Sequence, residues 1–142
     1  MRTLRWIGIY GLCFAVVLAV RIGLWTTRYQ RIRAVLVRPC GPDPQVERIN
    51  TVARIVRAVS RSARLIPDAS CLTQSIATQA LLSWKRIPSV ISMGVLKDDQ
   101  AVLRVHAWVV WNDEVILEGD EDSVRDFSKI LDLPTPTAAP IS

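Results

Sequence analysis

Apolar positions recur at helical spacing through the first part of the chain and give way to strand-like runs after residue 88. In 46–65, Val46, Ile49, Ala53, Val56 and Val59 line one face, while Arg54, Arg57, Arg61 and Arg64 recur on another. That spacing predicts an amphipathic helix with a solvated arginine stripe. Next comes Pro67-Asp68-Ala69-Ser70, turn-forming and cap-forming chemistry, and then apolar residues at Leu72, Ile76 and Ala80 and at Ala77, Leu81 and Trp84. The pattern predicts a second helix of about four turns with Cys71 in its first turn, stopped before Pro88. Residues 90–96 read as a buried strand, 97–99 as a turn and the Val- and Trp-rich run 100–111 as a second strand. Asn112-Asp113 then predicts a tight hairpin into a third strand over 114–117. The class is therefore α+β, with at least three antiparallel strands packed on the helix that bears Cys71.

Before these elements, residues 6–20 are fifteen uncharged, mostly apolar positions between Arg5 and Arg21. They fall short of the roughly 20 residues of a spanning helix unless the run extends to Trp25 with Arg21 snorkelling. No small-residue cleavage site follows Val20, and Arg21-Ile22-Gly23-Leu24-Trp25 keeps the helical pattern, so a helix touching a membrane or a partner is expected rather than a cleaved signal. A basic amphipathic stretch follows, with Tyr29, Ile32, Val35 and Leu36 among Arg28, Arg31, Arg33 and Arg38. These features divide the chain into an N-terminal segment at 1–38, a Pro- and Gly-rich linker at 39–45, a folded domain at 46–133 and a disordered tail at 134–142.

With 142 residues, half of them hydrophobic, the chain can build one core and one site. Its net charge of +5 is unevenly placed. Residues 1–40 contain seven arginines and no acid, whereas the remainder holds eleven basic and thirteen acidic residues. Without a zinc, helix-turn-helix or aromatic-platform pattern, this basic segment argues against nucleic acid and for contact with anionic headgroups. The three cysteines, Cys13, Cys40 and Cys71, make neither a disulfide framework nor a C-x-x-C pair, which suits a reduced, cytoplasmic setting.

Cys71 and His106, the sole histidine, are the candidate chemistry. A thiol in a helix's first turn meets unpaired N–H groups and the positive end of the dipole, which favour the thiolate. A histidine held on a strand against that helix would complete a Cys–His pair for nucleophilic catalysis. A third group must fix the imidazole tautomer, and the hairpin supplies Glu118 and Asp120. In an unbulged two-residue hairpin both acids flank the residue opposite His106 and point to the other face; a bulge, or a strand ending at Gly119, would bring one of them round. The alternative for the pair is a buried structural cysteine and a hydrogen-bonded core histidine.

Several motifs together resemble the transglutaminase-like cysteine protease family that matures lasso peptides, in its short stand-alone form. They are Arg61-Ser62-Ala63-Arg64-Leu65-Ile66-Pro67-Asp68-Ala69-Ser70-Cys71-Leu72, Ser75-Ile76-Ala77, Ile91-Ser92-Met93-Gly94-Val95 and His106-Ala107-Trp108-Val109. The resemblance covers about 46–127 and implies a transglutaminase-like, papain-like core acting as a leader peptidase. Cys71 would be the nucleophile, His106 the base and Glu118 (or Asp120) the acid, with no metal or organic cofactor. It further implies a precursor peptide as substrate, and a small leader-recognition protein and an ATP-dependent lasso cyclase as partners; the cysteines and the basic, apolar segment 1–38, read on their own, suit a cytoplasmic chain associated with the inner face of the membrane. Two departures stand out. The family acid is usually Asp, and the glycine that commonly ends the Cys helix is absent between Arg86 and Pro88. A non-catalytic, membrane-tethered scaffold for precursor and cyclase is the alternative from another class, and an acyl transferase using the same pair is a third.

Overall fold

The computed structural model describes residues 2–39, 49–66, 70–97, 99–111, 114–117 and 127–136. Four helices precede a four-stranded sheet: α1 (Arg2–Thr26), α2 (Tyr29–Leu36), α3 (Ile49–Leu65), α4 (Cys71–Trp84), β1 (Val90–Lys97), β2 (Leu103–Trp111), β3 (Glu114–Leu117) and β4 (Ser128–Pro134). The strand order is β3-β2-β1-β4, and every neighbouring pair is antiparallel. This is the α+β arrangement expected from the pattern. Most of the expected linker and the turn at Asn112-Asp113 lie outside the described residues.

Helix α4 is the axis of the fold. Ser70 is extended and its hydroxyl accepts a hydrogen bond from the Thr73 N–H at 3.3 Å, satisfying one orphan donor of the first turn. At the other end Ile87 N–H reaches Leu82 O at 2.9 Å, Arg86 N–H reaches Ser83 O at 2.9 Å, and Arg86 has φ 61°. These are the two bonds of a Schellman stop, with Arg86 in the left-handed position that glycine usually takes. An arginine thus holds the left-handed position, at a steric cost glycine would avoid.

Between those caps α4 is buried all round, from Thr73 and then Ser75 through Ser83. Its small and hydroxyl side chains let α1 and α3 approach on one side and β1 and β2 on the other. One core runs through all of these layers and includes Cys13, Val16, Val17 and Val20 of α1, Ile32 of α2, Val59 of α3, Ile76 and Leu82 of α4, and Ile91, Ala107 and Val109 of the sheet. The apolar N-terminal segment, expected to meet a membrane or a partner, therefore lays one face on its own domain.

The largest polar side chain inside this core is bridged to several segments, whereas the Ser75 and Thr78 hydroxyls of the same helix are buried without a partner. Gln79, fully buried, accepts from Arg33 Nε at 2.8 Å and donates from Nε2 to Leu133 O at 2.9 Å and Ser89 O at 3.2 Å. Arg33 also donates to Pro134 O at 2.7 Å. One glutamine thereby ties α2, the entry to β1 and the end of β4 to α4. Trp84 Nε1 donates to Leu36 O at 2.7 Å and Arg38 N–H to Ser83 Oγ at 3.0 Å, so the α2 exit is pinned at the other end of the same helix.

Strand β4 was not expected from the pattern. It pairs with β1 from Val90↔Pro134 to Val95↔Ser128, with a register shift at Met93/Gly94. Thr135, grouped by composition with the tail, is buried and exchanges hydrogen bonds with Ser89, from its N–H to Ser89 O at 2.8 Å and from Ser89 N–H to its Oγ1 at 3.0 Å. Residues 137–142 lie outside the described residues.

Candidate active site

Cys71 opens α4 as a free, half-buried thiol that packs against the edge of the main core. The turn carrying it is held by the Ser70 cap and by Gln74 N–H on Ser70 O at 3.0 Å. Cys13 is its opposite: 1% exposed inside α1, with burial pushing its thiol up to about 11. A protonated, enclosed thiol of that kind packs as a small hydrophobe and does not attack. Cys40 lies outside the described residues.

His106 sits in β2 directly across from Gly94 of β1. Its ring stacks near Trp108, with centroids 6.1 Å apart, and tilts against Phe127 at 5.2 Å. Gly94 makes this cluster fit. A Cβ there would lie 2.8 Å from Trp108 Cη2, 3.0 Å from Ser128 O and 3.1 Å from Phe127 Cβ. Two of those three atoms belong to backbone or to the root of a side chain and cannot swing away. Gly94→Ala is therefore expected to cost about 1–3 kcal/mol through overpacking, read as a lowered Tm, with a change in near-ultraviolet circular dichroism as Trp108 shifts.

Strand alternation decides how the two candidate residues relate. Ala107, Val109 and Trp111 belong to the core shared with α4, as does Ile91, which pairs with Val109. His106 alternates with them and so lies on the sheet's other face, with Trp108 and Phe127, both buried but outside that core cluster. The short connection Lys85–Ser89 sends β1 back along α4, and this carries Gly94 and His106 toward the Cys71 end of the molecule. The structure therefore brings Cys71 and His106 to the same end of the domain but to opposite faces of the sheet.

Glu118 and Asp120 lie outside the described residues. What the structure adds is a register shift just before them: β2 and β3 pair as Trp111↔Glu114 and Val110↔Val115 and then, past one extra residue, as Val109↔Leu117. The bulge puts Leu117 at a position of the same parity as Val109, which an unbulged hairpin would not do. An acid not considered from the sequence, Asp132, shares the face of His106 across β1. Its carboxyl is held below its ordinary value by the hydrogen bond from Ser92 Oγ at 2.6 Å, with Lys129 3.1 Å away adding to the effect. It stands two strands from β2, about 10 Å, with its oxygens engaged, and is a brace between β1 and β4. Its signal in the sequence was weak, because β4 itself was hidden.

Among the described residues no group of three or more His, Cys, Asp or Glu side chains could hold a metal ion. An antiparallel sheet behind a central helix that begins on a capped, half-buried cysteine defines a class, the α+β domains built around a helix-start thiol. A family model described as the transglutaminase-like superfamily matches residues 14–132, and the chain belongs to that superfamily, which includes cysteine proteases. The match begins within α1, in keeping with the core that α1 shares with α3 and α4. Neither a curated protein nor a solved structure matches the chain.

Proposed function

We propose that the chain is a cysteine peptidase that removes the leader from a ribosomally made precursor peptide of the lasso type, in the cytoplasm. The observation that carries this reading is the placement of Cys71 at the capped start of the central helix of a transglutaminase-like domain. The Cys71 thiolate attacks the scissile carbonyl, and backbone N–H groups of the first turn, including that of Cys71, receive the developing oxyanion. His106 protonates the departing amine, leaving a thioester on Cys71, and then takes a proton from the water that hydrolyses it. Glu118, or Asp120, orients the imidazole. A small leader-recognition protein delivers the precursor, and a separate ATP-dependent cyclase closes the released core.

This chemistry requires the imidazole on the α4 face, whereas the alternation of β2 turns it to Trp108 and Phe127. The separation of Cys71 from His106 favours a second reading, a non-catalytic transglutaminase-like scaffold that holds precursor and cyclase. Mass spectrometry of the precursor incubated with the leader-recognition protein and this chain decides between them. The peptidase reading expects cleavage at one bond with addition of water, lost in His106→Ala and in one of Glu118→Gln and Asp120→Asn. Addition of an amine instead would make the chain an acyl transferase. An intact precursor, with binding of both partners demonstrated, would leave the scaffold.

A further inference from the structure

Helix α1 has two apolar faces, and only one of them is used by the fold. Within α1, Ile7–Thr26 is a 20-residue stretch, with mean hydropathy 2.2 over its most apolar window, long and apolar enough to cross a membrane by length and composition alone. Cys13, Val16, Val17 and Val20 are buried in the core with α3 and α4. On the far side Ile7, Phe14, Leu18, Ile22 and Trp25 form an exposed ridge about 27 Å long, with Ile7 64%, Ile22 52% and Trp25 74% exposed. Trp25 ends the ridge, and the guanidinium of Arg21 lies 4.5 Å from its ring centre. Just beyond, at the turn into α2, an open hollow is lined by Trp25, Arg28 and Arg31 among others. Residues 1–40 contain no acid at all.

We propose that α1 is an interfacial docking helix, lying in the plane of an anionic bilayer with the Ile7–Trp25 ridge in the acyl boundary and Arg21, Arg28 and Arg31 on lipid phosphates. Spanning is opposed by the packing. Pulling α1 into a bilayer would withdraw four core side chains from α3 and α4, whereas docking in plane leaves them in place. The occupant is an anionic lipid surface rather than a second copy because the segment bearing the ridge, 1–40, carries seven arginines and no acid: two such segments facing each other would bring like charges together, while anionic headgroups neutralise them. Trp25, amphipathic and beside an arginine, has the character of an interface anchor.

Co-sedimentation of the full chain with phosphatidylglycerol-containing vesicles and with pure phosphatidylcholine vesicles tests the proposal. Binding is expected to the anionic vesicles, to weaken with salt, and to be reversed by an alkaline wash. Arg28→Glu/Arg31→Glu, at two exposed positions, is expected to lower partitioning by roughly 25-fold or more, from about fivefold per arginine. Leu18→Asp/Ile22→Asp should reduce binding even at low salt, with the folded circular dichroism spectrum retained and the Tm lowered by only a few degrees, since both side chains are partly exposed. Equal, salt-insensitive binding to both vesicle types that resists the alkaline wash would overturn the proposal in favour of a spanning helix. No vesicle binding, with self-association abolished by Leu18→Asp/Ile22→Asp, would overturn it in favour of a second copy. No binding by a folded monomer would overturn it outright.

Discussion

Cys71→Ala is expected to abolish precursor cleavage, by about a thousandfold or more, while leaving the fold intact. The loss is large because no other described group can take its place: Cys13 is enclosed, with its thiol raised to about 11. The structural cost is small because Cys71 is half-buried at the edge of the core, its side chain is short, and the cap of the helix comes from Ser70. Thiol alkylation supplies an independent reading. In a Cys40→Ser background, Cys71 should be modified readily by iodoacetamide and Cys13 only on unfolding. Cys13→Ala should show the reverse pattern to Cys71→Ala, with cleavage retained and some stability lost through the cavity left between α1 and its neighbours. Wild-type cleavage rates in Cys71→Ala would remove the peptidase reading and leave the scaffold.

Gln79→Leu is expected to be the most destabilising single change among the polar positions, by about 3 kcal/mol. Leucine is close in size, so packing is largely kept and the loss comes from orphaned partners. Leu133 O loses the bond from Nε2 and Arg33 Nε its acceptor, while Ser89 O keeps the two bonds from Thr135. Arg33 is partly buried, which already holds its pKa below the ordinary value, so stranding its guanidinium adds to the penalty. For a domain of this size the change corresponds to a fall in Tm of roughly 10 °C. A double-mutant cycle with Arg33→Ala should return a coupling of about 1–3 kcal/mol; a coupling near zero would mean that the two residues act separately.

The elements that hold the site were readable where the interactions that make them are local. Ser70, one residue before Cys71, uses its own hydroxyl on Thr73 three residues on, so the start of α4 could be placed from adjacent residues. The apolar run 90–96 and the Val- and Trp-rich run 100–111 likewise report their own strand character, and β1 and β2 lie within those runs, β1 reaching one residue further. Strand β4 escaped because Ser128-Lys129-Ile130-Leu131-Asp132-Leu133-Pro134 is short, charged twice and on the sheet's edge. Its strand character comes from pairing with β1 some forty residues earlier. The bulge at Val109/Val110 and the shift at Met93/Gly94 were equally silent, since a bulge exists only relative to the partner strand.

The amino-acid sequence by itself determined the class of this protein, the cysteine at the head of its helix, the histidine on its second strand and the concentration of positive charge at its N-terminus. Each of these follows from residue identity and short-range periodicity. Tertiary structure alone decided which face each element shows. The parity of β2 places Ala107 and Val109 on α4 and turns His106 to Trp108 and Phe127, because alternation fixes relative orientation but only long-range pairing fixes its sign. In the same way α1 is apolar nearly all round, and contact with α3 and α4 chose which side became core and which remained exposed. The burial of Gln79 was decided there too: its amide is satisfied inside the core by Arg33, Ser89 and Leu133, partners that converge from distant segments.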